Sequence, residues 1–179
     1  PQIVIAAGET SGSLLFSGLR DTSNEEEETI VLNTTVGNNA TLASTDPLTL
    51  SLLDINDPPT VAFAFSDETI KEASTTDVKL TATLSSISGI EVVIDFTLEG
   101  TAVLDTDFTV SSQRITIPAG SNKGELTVST STIEEDGEVE VLDTIIFKVS
   151  EITNATAPVN EATLYLESIE APTVSVATS

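Results

Sequence analysis

The chain has 179 residues, of which 29 are Asp or Glu and 6 are Lys or Arg, and its formal net charge is −23. With no basic stripe to neutralise phosphates and no polybasic cluster to meet anionic lipid, it is neither a nucleic-acid-binding module nor a membrane-surface binder. His, Cys, Met and Trp are all absent, which removes thiol nucleophiles, Ser-His-Asp triads, His-ligated zinc and disulfide frameworks and leaves carboxylate and hydroxyl chemistry.

Hydrophobic residues make up 39% of the chain, too many for disorder despite the charge. With 28 Thr, 16 Val and 15 Ile, 59 of the 179 residues are β-branched and suit a pleated sheet. The expected class is all-β. No apolar run approaches the roughly 20 residues that cross a bilayer. Pro1 opens directly onto a strand-like segment without a charged leader, and the chain reads as an internal piece of a larger secreted protein.

From the first residues onward the chain repeats itself. Ile3-Val4-Ile5-Ala6-Ala7-Gly8 recurs as Ile115-Thr116-Ile117-Pro118-Ala119-Gly120, and Gly12-Ser13-Leu14-Leu15-Phe16 as Gly124-Glu125-Leu126-Thr127-Val128, both at an offset of 112. Glu28-Thr29-Ile30 lies over Asp143-Thr144-Ile145 and Asn39-Ala40-Thr41 over Asn154-Ala155-Thr156 at an offset of 115, implying a three-residue insertion in the later copy. Pro59-Thr60-Val61 recurs as Pro172-Thr173-Val174. The expected organisation is the C-terminal half of one repeat over 1–57, a complete repeat over 58–171, and the start of a third over 172–179.

Along the complete repeat, apolar residues alternate as a half-buried sheet requires. Val78, Leu80, Ala82 and Leu84 point one way, and Val92-Ile94-Phe96-Leu98, Ile115-Ile117, Leu126-Val128, Ile145-Phe147-Val149 and Leu164-Leu166 keep the same period. Turn-forming clusters at Ser85–Gly89, Pro118–Asn122 and Asn154–Pro158 separate them. About seven strands in about 113 residues is the pattern of an immunoglobulin-like two-sheet sandwich. Residues 1–57 supply perhaps four strands whose apolar face lacks a partner. That half is expected to be completed by preceding sequence or by self-association with another copy of the chain.

Several motifs together resemble the Calx-beta domain, an extracellular sandwich found in exchangers and in long bacterial surface proteins. They are the Glu-bearing stretch Ser66 to Glu72, Gly100-Thr101-Ala102 followed by Asp107-Phe108-Thr109, the Ile115-Thr116-Ile117-Pro118-Ala119-Gly120 turn, the acidic run from Ile133 through Glu140, and Asp143-Thr144-Ile145. The resemblance implies calcium at one end of the sandwich. In the complete repeat the implied ligands are Glu72, Asp107, Glu134, Glu135, Asp136, Glu140, Asp143, Glu167 and Glu170. In the partial repeat they are Asp21, Glu25, Glu28, Asp54, Asn56 and Asp57. Calcium takes six to eight oxygens, so converging carboxylates suit it. The pattern departs from the family where Glu134-Glu135 replaces paired Asp and where Arg20 stands beside Asp21. A solvated acidic face is the plain alternative, above all for Glu25 to Glu28.

The resemblance implies a spacer or stalk segment of a giant cell-surface adhesin, extending a distal binding region from the cell, with neighbouring repeats as partners and an extracellular location. Texture and composition are similar to the long adhesins of gliding Bacteroidetes. The alternatives are a carbohydrate-binding accessory module, for which Phe16, Phe63, Phe65, Phe96, Phe108, Phe147 and Tyr165 are the only aromatic residues, and a cadherin-like repeat, suggested by Asp54-Ile55-Asn56-Asp57. An enzyme is not expected. Paired carboxylates are the one catalytic set the composition allows, and acidic pairs arise here by abundance alone.

Overall fold

A computed structural model describes residues 1–37, 39–130 and 142–167. The chain divides into two compact units. Pro1–Thr22 and Glu27–Leu53 form the first; Ser23–Glu26 and the chain from Asp54 onward form the second.

The first unit contains β1 (Glu28–Leu32) and β2 (Leu48–Leu52), paired antiparallel. The second contains β3 (Val61–Phe65), β4 (Thr69–Lys71), β5 (Val78–Leu84), β6 (Val92–Gly100), β7 (Thr109–Val110), β8 (Arg114–Ile117), β9 (Lys123–Ser129), β10 (Asp143–Thr153) and β11 (Glu161–Glu167). A five-stranded sheet runs β4-β11-β10-β6-β8, and a four-stranded sheet runs β3-β5-β9-β7. The protein is all-β, a two-sheet sandwich as its periodicity predicts.

Alternation places the core. On β5 the residues alternate between buried and more exposed, with Val78, Leu80, Ala82 and Leu84 inward. Val92, Ile94 and Phe96 on β6, Ile115 and Ile117 on β8, Leu126 and Val128 on β9, Ile145 and Phe147 on β10, and Leu164 and Leu166 on β11 complete it. Phe96 and Phe147 meet edge to face at 5.8 Å, flanked by Phe63 at 5.5 Å from Phe96 and Phe65 at 5.8 Å from Phe147. Edge contacts of this kind set positive ring rims against negative faces.

β3 and β7 fall outside the alternating runs of the sequence, and β4 lies within Ser66–Glu72, which the family resemblance marks as the first strand region. β4 has three residues and β7 two, too short to display a period. β4 also runs parallel to β11 while the other strand pairs are antiparallel. It is held by register with its neighbour and not by hydrophobic patterning.

The repeat reappears in three dimensions. Gly8 and Gly120 both adopt positive φ, +87° and +80°, and in each case the residue after the glycine donates its N–H to the carbonyl two residues before it: Glu9 to Ala6 and Ser121 to Pro118, each at 3.0 Å. This is the glycine position that a type II turn demands. Asn39 and Asn154 share positive φ, 77° and 62°. A Cβ added at Gly12 would lie 2.7 Å from the Val4 carbonyl and 2.8 Å from the Ile3 side chain; one at Gly124 would lie 2.8 Å from the Thr116 carbonyl and 2.6 Å from Ile115. The register of β1 on β2, with Ile30 opposite Leu50, matches that of β10 on β11, with Ile145 opposite Leu164.

Four strands were anticipated over residues 1–57, and the described residues there hold two. The segments around Ile3–Ile5 and Leu14–Phe16 carry no ladder, although their counterparts are β8 and most of β9. The physical reason lies in pairing. β8 bonds to β6, and β9 to β5 and β7, all strands from the first half of a repeat.

Truncating Phe147, fully buried between both sheets, should cost about 3–5 kcal/mol, in line with other Phe→Ala core deletions. Urea unfolding of Phe147→Ala followed by tryptophan-free far-ultraviolet dichroism checks it; a loss under about 1 kcal/mol would contradict the packing described.

Candidate functional site

The acidic candidates of the second unit lie at two opposite ends of its strands. At one end β4 and β11 finish side by side, with Lys71 opposite Glu167 and the Glu72 N–H donating to the Glu167 carbonyl at 3.1 Å. Asp143 opens β10 opposite Leu166. The loop after β6 closes on the same end, because Thr101 and Ala102 donate their N–H groups to the Thr144 carbonyl at 3.1 and 3.2 Å. Backbone pairing thus brings Glu72, Asp143 and Glu167 to one pole, with the Asp107 loop beside them, and all four side chains are half-buried.

Asp107 already has work within its own loop. Its Oδ2 accepts the Val103 N–H at 2.6 Å, and its own N–H donates to the Val103 carbonyl at 2.8 Å. Asp105, with a positive φ of 64°, lets the chain turn between them. At this pole Thr130, fully buried, donates its hydroxyl to the Lys71 carbonyl at 2.6 Å and accepts the Ser74 N–H at 3.1 Å, fixing the exit of β4. The sequence offered no signal for Thr130 among its many threonines. Glu134, Glu135, Asp136, Glu140 and Glu170 lie outside the described residues.

The second pole gathers Glu25, Asp54, Asn56 and Asp57 with the loops at Ser85–Glu91 and Pro118–Asn122. Asp54 is its organiser: Oδ2 accepts the Glu25 N–H at 2.8 Å, and Oδ1 accepts the Asn56 N–H and the Asn56 side-chain amide, both at 3.0 Å. Asn56 Nδ2 also donates to the Ser23 carbonyl at 2.7 Å. Asn24, nearly buried, bridges in parallel to the fully buried Ser88, and its carbonyl accepts the Gly89 N–H at 3.0 Å. Ser88 in turn accepts the Gly120 N–H on its carbonyl at 2.8 Å. Ser88 belongs to the turn-forming cluster Ser85–Gly89, and neither it nor Asn24 stands out in the sequence, because burial of short polar side chains inside a loop leaves no periodic trace.

The Glu25 backbone N–H, and then that of Asn56, hold the Asp54 carboxyl below its ordinary value of 3.8. Asp21 and Glu28 belong to the first unit. Among the described residues no group of three or more carboxylates converges to hold a metal ion. Asp54 and Asp107 are engaged by backbone N–H groups, and the described residues alone do not form a calcium cage.

Elsewhere the surface uses its few cations across strands. Arg114 forks onto Asp95 at 2.6 and 2.8 Å, directly opposite it on β6, and Lys79 reaches Glu125 at 2.8 Å. The Arg114 guanidinium depresses the Asp95 carboxyl, and Lys79 depresses that of Glu125. Phe96, Phe108 and Phe147 are buried, Phe63 and Phe65 pack against the core, and Tyr165 stands on β11, 40% exposed. In the second unit the described aromatics therefore form no sugar-stacking platform. Among the described residues no helix is long and apolar enough to cross a membrane.

No family model matches the chain, and no curated protein does. Solved structures do. The Calx CBD1 domain in its apo form aligns with a TM-score of 0.51 at 13% identity, covering 64% of this chain and 100% of that one.

The fold is Calx-beta-like.

That coverage is about 115 of 179 residues, the length of one repeat. The E. coli chaperone DraB aligns at 9% identity over 60% of this chain and 54% of that one, with a TM-score of 0.36, too low to carry an argument. At such identities the likeness of the Calx-beta-like fold reaches the backbone and says nothing of ligands.

Asp54, Asp95 and Glu125 bind protons less readily in the folded state than at their ordinary values of 3.8, 3.8 and 4.5. Their stabilising contribution is therefore complete above those values and lost as pH falls through the lowered ones. Self-repulsion of the −23 chain relaxes over the same window and opposes this loss, so the readout is a difference. Asp54→Asn with Asp95→Asn should lower the melting midpoint more at pH 6 than at pH 2.5; an equal loss at both values would show that the ionised carboxylates are not what matters.

Proposed function

We propose that the chain is a spacer segment of a long cell-surface adhesin, in which tandem Calx-beta-like sandwiches hold a distal binding region away from the cell. The observation that carries this reading is the recurrence of one turn, one glycine contact and one hairpin register at the sequence offset of the repeat: Gly8 with Gly120, Gly12 with Gly124, and β1–β2 with β10–β11. Repeats of this type stack with nearest-neighbour contacts alone, and their demands are solubility and length. A net charge of −23 supplies mutual repulsion and hence extension. The composition is similar to that of adhesins carried along the surface of gliding Bacteroidetes, and the proposal places the chain in that setting, outside the cell.

Pro58 and Pro59 follow Asp54 to Asp57 and limit bending where one repeat gives way to the next. Calcium enters the proposal as a stiffener at the pole of Glu72, Asp143 and Glu167, and only together with Glu134, Glu135, Asp136, Glu140 and Glu170. Its test is thermal melting of the chain with and without millimolar calcium. Selective binding to the folded state raises the midpoint, and the rise should shrink in Glu72→Gln; an unchanged midpoint removes calcium from the proposal.

The spacer role has its own test. β10 has 11 residues, and at about 3.3 Å each a sandwich is roughly 36 Å long. Polypeptides with two, four and six copies of residues 58–171 should gain about that length per copy in small-angle scattering. Growth as the cube root of mass, as for a collapsed particle, contradicts it.

A further inference from the structure

The geometry points to an interaction surface on the first unit whose occupant is the front half of a repeat, a segment built like residues 58–112 of this chain. The inference rests on repeat geometry and stands whether or not the array is a spacer.

Three independent observations converge. The first is exposure at equivalent positions. Ile3, Ile5 and Leu52 are 52%, 57% and 39% exposed, whereas their counterparts Ile115, Ile117 and Leu166 are 1%, 0% and 1% exposed. Phe16 is 41% exposed where Val128 is fully buried. Apolar side chains at matching positions are open in one unit and sealed in the other. Apolar surface of this extent on adjacent segments marks a contact face.

The second is the pattern of strand loss. The β1–β2 hairpin, whose two strands pair with each other within the back half, keeps its ladder. The stretches matching β8 and β9, whose partners β6 and β5 come from the front half, have none. What the first unit lacks is therefore specific: front-half strands, above all the β6-like and β5-like strands against which these two stretches would pair.

The third is what covers the equivalent face in the second unit. β6 lies between β10 and β8, and Leu80, Val92 and Ile94 have no exposure. Subtracting the repeat offset gives the register. Val92 and Ile94 face Ile117 and Ile115, so a β6-like strand sets its Val92 and Ile94 equivalents opposite Ile5 and Ile3. Gly100 and Leu98 face Ile145 and Phe147, so the same strand sets those equivalents opposite Ile30 and Leu32. Leu80 and Val78 face Leu126 and Val128, which places a β5-like strand against Leu14 and Phe16.

A second copy of this chain does not meet the need, because its own β5 and β6 are consumed in its own sandwich. Two first units brought together would supply two back halves and no front half. The occupant is thus a front half delivered in cis by a neighbouring repeat.

The test is a lengthened polypeptide in which a copy of residues 58–112 is joined directly ahead of Pro1. Amide exchange at Ile3–Ile5 and Leu14–Phe16, which carry no ladder in the original chain, should slow by about a thousandfold or more, approaching that at Ile115–Ile117 in the same molecule. The same extension carrying Val92→Asp and Ile94→Asp in the added copy should leave those amides fast, while the second unit reports that the molecule is folded. If the lengthened polypeptide precipitates, a labelled Glu91–Gly100 peptide replaces it, and micromolar binding to the original chain that Ile5→Asp abolishes supports the inference. Slow exchange at those positions in the monomeric original chain overturns it. So does protection that appears only with rising concentration, which would assign the face to a second copy, or an extension or peptide without effect.

Discussion

β6 lies between β10 and β8, and β5 between β3 and β9, so both sheets interleave strands from the first half of the repeat with strands from the second. This interleaving is the constraint on which the rest of the molecule depends. The buried faces of Ile115, Ile117, Ile145 and Phe147 exist as a core because Val92, Ile94 and Phe96 are inserted among them. Neither half of the repeat has a closed interior of its own. In the second unit these strands close a sandwich with sealed faces, and in the first unit the described residues hold one laddered hairpin.

The charge distribution follows the same architecture. Sheet faces turned to solvent spend their few cations on cross-strand pairs such as Arg114 with Asp95, which add little individually on an exposed surface. Much of the excess acid is carried by the loops at the two ends of the strands, where backbone N–H groups left without ladder partners are available to carboxylates. Asp54 and Asp107 are used in this way, as loop organisers. An acidic loop in a β-sandwich thus has a structural use that needs no cation. In a chain this acidic, sequence inspection alone does not separate the two uses.

Legibility in the sequence differed by element. Long strands such as β5, β6 and β10 declared themselves, because a period of two over seven or more residues is hard to produce otherwise. The Pro118-Ala119-Gly120 turn was equally readable, since only a residue tolerant of positive φ fits its third position. The short strands β4 and β7 have no period of their own, and the buried hydroxyls of Ser88 and Thr130 leave no local signal. The carboxylates were readable as a set but not as a site: proximity of Glu72 to Glu167 depends on a parallel pairing across 95 residues that no local pattern encodes.

By itself the amino-acid sequence determined the fold class, the repeat and its offset, the inward face of each long strand and the exclusion of whole classes of chemistry, because composition and periodicity are local properties that survive without coordinates. Only the tertiary structure decided which carboxylates share a pole, which are already engaged by backbone N–H groups, and which apolar side chains stay exposed. Those outcomes depend on pairing between segments far apart in the chain, and strand pairing is selected by the whole sheet at once.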